Sequence, residues 1–190
     1  WNGCQAMAQL LAAVFLLSFS ALALEVLLAR VFSISQWNHL AFMVISIALF
    51  GFAASGTFLK VMDARRGGWE KRLWAPGFLH GLVLLYSAAA LLAFAVLLRL
   101  PLDYFRLPLE PAQTVYLLTA YLVLCLPFFF SGLAVSLAYA AVPEKTGRVY
   151  LASMAGTACG ALVPALLLPL VGEGRLAAAA NLLSQRVDRL

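Results

Sequence analysis

Charge is scarce in this chain of 190 residues: Asp, Glu, Lys and Arg together make up 11% of it, against about a quarter in an average soluble domain. So few ionic groups cannot clothe a water-facing surface, and a soluble globular domain is excluded. Cysteine is also sparse. Three residues are too few for a disulfide framework, and Cys125 and Cys159 fall inside apolar runs, where a small buried thiol is the expectation. Histidine occurs twice, as His39 and His80, which open successive apolar runs at opposite membrane faces. A bis-histidine haem needs both imidazoles at one depth, so this spacing argues against it. The chain has no P-loop, C-x-x-C, H-E-x-x-H or nucleophile elbow. Gly172-x-Gly174 follows no strand and lacks a third glycine, which makes it a turn and not a nucleotide site. No catalytic residue, metal ligand or cofactor is expected from these residues, and the chain is not expected to be an enzyme on its own.

Apolar length is what the sequence does have. Hydrophobic residues make up 64% of the chain and its mean hydropathy is +0.96. Five runs are long enough to cross a hydrocarbon core of about 30 Å, which takes roughly 20 residues of helix. They lie at about 7–32, 40–61, 77–100, 115–142 and 150–171. Each must be helical, because a spanning segment in lipid has to satisfy its backbone hydrogen bonds internally. A barrel is excluded, since these runs are apolar on every face and do not alternate. The expected fold is therefore all-α: a polytopic transmembrane bundle over 1–175, with 176–190 as a terminal helix. That last segment begins apolar and then meets Ser184, Gln185, Arg186, Asp188 and Arg189. It reads as an amphipathic helix at the interface or as the start of a sixth span.

Basic residues orient the bundle. Lys60, Arg65, Arg66, Lys71, Arg72, Lys145 and Arg148 fall at one border, and Arg30, Arg99, Arg106 and Arg175 at the other. The positive-inside rule then places the N-terminus and the 62–74 loop in the cytoplasm of a bacterial inner-membrane protein. This placement also explains the net charge of +5, and no nucleic-acid partner is expected. The first run lacks a basic n-region and cleavage site, so it is read as a span and not a signal peptide. The connector 101–111 carries three prolines and is expected to be extended, and Pro127 and Pro164 are expected to kink their helices.

Three polar residues stand out. Glu25 lies inside the first run, where an ionisable group is by default a candidate functional site. Arg30 is five residues on, about 140° around the helix, so the two make a poor intrahelical pair. Arg30 with Trp37, Asn38 and His39 is expected to form a polar rim at the outer face. For Glu25 the readings are a carboxyl hydrogen-bonded to a neighbouring helix or a group in a proton or cation path. In the fifth run, Ala152, Gly156 and Gly160 recur every four residues, a ridge on which another helix can seat closely. Gly51 with Ser55, and Ser131 with Gly132, offer similar flat faces in the second and fourth runs.

Two stretches carry a family likeness. In 18–56 it rests on Glu25, Arg30, Phe32, Ser33, Trp37, His39, Ser46, Ala48, Leu49 and Gly51, and in 147–172 on Tyr150, Gly156, Gly160, Leu168, Pro169 and Gly172. The chain resembles the membrane domain of bacterial spermidine synthase-like proteins, in which helices are fused to an aminopropyltransferase or methyltransferase-type domain. It departs from that family at Ser153, where an aspartate is usual, and these 190 residues do not include the family's soluble domain. The resemblance implies a membrane scaffold or anchor, a non-catalytic subunit whose partners are the lipid bilayer, other membrane subunits or a separate soluble domain. A cytoplasmic domain following these helices would require a sixth crossing. The competing expectation is a transporter or channel unit for a small cationic solute, with Glu25 in the pathway.

Overall fold

The computed structural model describes residues 2–36, 38–66, 76–99 and 111–171. Among them are five α-helices, one 3-10 turn and no strand. The helices are α1 (Asn2–Gln36), α2 (Asn38–Arg66), α3 (Pro76–Arg99), α4 (Pro111–Ala141) and α5 (Thr146–Val171). Four stretches are long and apolar enough to cross a membrane: Gln5–Arg30 in α1, Phe42–Met62 in α2, Val115–Ala141 in α4, and Pro143–Leu167, which runs from the 3-10 turn into α5. In α3 the corresponding stretch, Gly81–Leu97, is shorter. His39, Trp37, the connectors 67–75 and 100–110, and the segment 172–190 were singled out in the sequence but lie outside the described residues or side chains.

Local chemistry sets the helix ends. Pro76 and Pro111 open α3 and α4, positions where a missing N–H costs nothing and a fixed φ suits the first turn. Pro143 ends α4 by forcing its predecessor out of the helical region, and Val142 sits at φ −139°, ψ 68°. The chain then reverses within one tight turn. The Lys145 N–H donates to the Val142 carbonyl at 3.0 Å, and the Thr146 hydroxyl donates to the Pro143 carbonyl at 2.8 Å. This turn starts α5 at Thr146, so Arg148 stands in its first turn and not in a loop. Helical structure continues through Pro127 and Pro164.

The surface is inverted relative to a water-soluble protein. Leu84 is 70% exposed, Leu91 73%, Phe42 69% and Leu151 70%. The buried positions include many small residues, among them Ala21, Ala48, Ala89, Ala93, Ala120, Ala134, Ala138, Ser18, Ser55, Ser131 and Ser153, beside larger ones such as Ile47, Leu124 and Phe128. Lipid is as apolar as leucine, so large side chains gain little by turning inward. Close backbone approach is what joins helices there. The outward hydroxyls of Ser46, Thr57, Ser87 and Thr119 each donate to the carbonyl four residues back, at 2.8 to 3.1 Å. That bond satisfies them where no water is at hand. The molecule is built as a membrane protein.

Contacts fix the helix directions. Phe50 stacks near Tyr121 and Phe58 near Phe129, so α2 and α4 run parallel. Leu82 clusters with Leu137, and Ala93 with Leu124, so α3 runs antiparallel to α4. Direction alternates from α1 to α5, as successive crossings require. α4 is the hub: α2 and α3 pack on it, α1 joins it, and Phe128 at its centre is fully buried. α5 leaves α4 almost at once and packs mainly along α1.

Candidate functional site

The residues singled out in the sequence separate into two regions. The ridge of α5 lies against α1, with Gly156 and Gly160 buried and Ala152 half-buried. A Cβ on Gly156 would fall on the Phe15 carbonyl oxygen and within 3.1 Å of Phe15 Cα. At Gly160 the corresponding atoms are the Phe19 carbonyl oxygen and, at 3.0 Å, Phe19 Cα. The four-residue step on α5 is thus matched by a four-residue step on α1 in the same direction, and the two helices are parallel with their backbones touching. On the same seam the Ser18 and Ser153 hydroxyls hydrogen-bond at 3.1 Å, both buried. Ser153 therefore takes part in a neutral interhelical bond. Tyr139 of α4 lies beside Ser153 and brings a third helix to this point.

A second seam joins α2 and α4. A Cβ on Gly51 would sit 2.7 Å from Phe128 Cβ, and one on Gly132 would sit 2.5 Å from Ser55 Oγ. The two flat faces read from the sequence meet each other here. The Ser55 hydroxyl turns back to the Phe52 carbonyl at 2.7 Å.

Glu25 is half-buried. It shares one stripe of α1 with Val14, Ser18, Ala21 and Leu28, reached by alternating steps of three and four residues, and those four are buried. The carboxylate thus belongs to the inward face, and among the described residues no hydrogen bond or ion pair engages it. Arg30 is exposed and lies off this stripe. For His39 the structure describes only the helical backbone of α2, so the polar rim of Trp37, Asn38 and His39 lies outside the described side chains.

Two buried-or-exposed side chains differ from their expectation. Cys125 is buried, but Cys159 is exposed, which corrects the expectation of a buried thiol at both positions. The α5 stripe that touches α1 runs through Ser153, Gly156, Gly160 and Pro164, and Cys159 points away from it. The Ser131 hydroxyl, expected only as part of a flat packing face, is buried and has no hydrogen-bond partner among the described residues. No group of three or more His, Cys, Asp or Glu is gathered for a metal among the described residues. Compared with protein families, characterised proteins and solved structures, the chain matches none.

Proposed function

We propose that this chain is an integral membrane scaffold or anchoring module, akin to the membrane domain of spermidine synthase-like proteins and a non-catalytic subunit of a larger membrane assembly. The observation that carries the reading is the α1–α5 seam. Its glycines and serines are used to bring two helices into backbone contact, so the first and last described helices form one unit. A chain with such internal fastening, and with large apolar side chains turned outward on α2, α3 and α5, suits a support embedded in lipid. In this reading the helices make five crossings in a bacterial inner membrane, with the N-terminus and the 62–74 loop cytoplasmic and 176–190 at the interface or starting a sixth crossing. The partner is a soluble domain of the aminopropyltransferase or methyltransferase type, or further membrane subunits.

The test is purification of the tagged full-length protein from its native membrane in a mild detergent. Co-elution at fixed stoichiometry with such a domain, or its presence in the same reading frame, is the expected result. A lone species that moves a small cation across liposomes, with flux lost in Glu25→Gln, would replace this reading by a second one. That alternative, a transporter or channel unit for a cationic solute, draws on the inward position of Glu25.

A further inference from the structure

We infer that Glu25 and Ser131 are two ligands of one intramembrane site for a monovalent alkali cation, sodium in the first instance. On α4, Leu124, Phe128, Ser131 and Ala138 fall on one stripe by steps of three, four and seven residues. α1 packs on α4, and this stripe shares clusters with the α1 stripe that holds Glu25: Leu28 lies in one with Leu124 and Phe128 and residues of α2 and α3, and Val14 in another with Ala138 and Val149, which sets the two stripes toward each other. The pairings rise on one helix as they fall on the other. Glu25 lies three residues below Leu28, and Ser131 lies three residues past Phe128. The antiparallel register therefore sets the two within about one helical turn of the same depth, on faces turned toward each other.

Each group lacks what the other site member and an ion would supply. A buried hydroxyl without a partner costs about 1–3 kcal/mol, and Ser131 Oγ is buried with none among the described residues. A carboxylate on the inward face of a membrane helix calls for a counter-charge or a polar cavity. Carboxylate and hydroxyl are both hard oxygen donors, suited to a hard cation. One carboxylate balances one positive charge, which favours a monovalent ion over calcium or magnesium.

The inference rests on the cation reading of Glu25 and extends it by naming the ion and its second ligand. The test reads binding and not transport, so the two can fail separately. The full-length protein in nanodiscs is melted across a sodium chloride series, with N-methylglucamine chloride holding ionic strength constant. The wild type should show a saturable rise in Tm with sodium. Ser131→Ala removes an orphan hydroxyl and should fold with an unchanged or higher basal Tm, yet its apparent sodium affinity should fall by roughly tenfold. Glu25→Gln should abolish the response. A wild-type Tm indifferent to sodium overturns the site, as does a sodium response that survives intact in Ser131→Ala. A response to pH alone, with none to sodium, overturns it in favour of a bare proton acceptor.

Discussion

Gly156→Ala and Gly56→Ala are the same chemical change in the same kind of helix, yet they should move stability in opposite directions. At Gly56 an added Cβ meets nothing within 4 Å. The alanine there gains helix propensity alone, worth about 0.5–1 kcal/mol. At Gly156 the added carbon meets Phe15 backbone atoms on α1, with Cα at 3.1 Å and the carbonyl oxygen closer still. Backbone cannot rotate away as a side chain can, so α1 and α5 must separate along the seam. Overpacking of this kind costs about 1–3 kcal/mol. The Ser18–Ser153 bond, already 3.1 Å long, stretches with it. Both alanines gain the same helix propensity, so the gap between the two variants should be the overpacking cost, roughly 1–3 kcal/mol. Gly160→Ala should behave like Gly156→Ala, and Gly81→Ala, also in open space, like Gly56→Ala. Unfolding in mixed micelles with rising denaturing detergent, followed by far-ultraviolet circular dichroism, measures the difference. Equal stability of the Gly156→Ala and Gly56→Ala proteins would refute the claim that the two backbones touch.

Two further outcomes follow from the packing. In a double-mutant cycle, Ser18→Ala and Ser153→Ala should show a coupling of about 0.6 kcal/mol and no more than about 1.7, the range for hydrogen bonds between membrane helices. Strictly additive effects would mean the hydroxyls are not bonded to each other. Phe128→Ala should destabilise by up to about 3 kcal/mol, the lower end of the aromatic truncation range. In a bilayer the lost ring forfeits packing but no water-to-oil transfer. A change within error of zero would show that α4 is not the hub.

The sequence made the helices legible because lipid leaves one solution for an apolar run of such length, and each run falls almost wholly within one helix. Their ends were less so. Proline placement marked the starts of α3 and α4, but the turn at Val142–Thr146 admitted Arg148 to α5 because a 3-10 turn can flow directly into a helix. The small-residue ridge of α5 was plain from its period. Its partner was not, because what Gly156 and Gly160 touch on α1 is the backbone of Phe15 and Phe19, and backbone carries no residue signature. Glu25 could be noticed as a charge in oil. That it faces inward needed the buried stripe of Val14, Ser18, Ala21 and Leu28. Ser131 passed unremarked as a site because an intramembrane serine ordinarily bonds its own helix, as Ser46 and Ser87 do.

Sidedness of labelling tests the central claim most directly. With the native cysteines replaced, single cysteines at Arg30, Lys60 and Lys145 are probed in sealed right-side-out vesicles and in inverted ones with a membrane-impermeant maleimide. Threading of α1 to α5 through the bilayer, with α2 parallel to α4, predicts that positions 60 and 145 react from one side and position 30 from the other. Reaction of position 30 from the same side as positions 60 and 145 would contradict it.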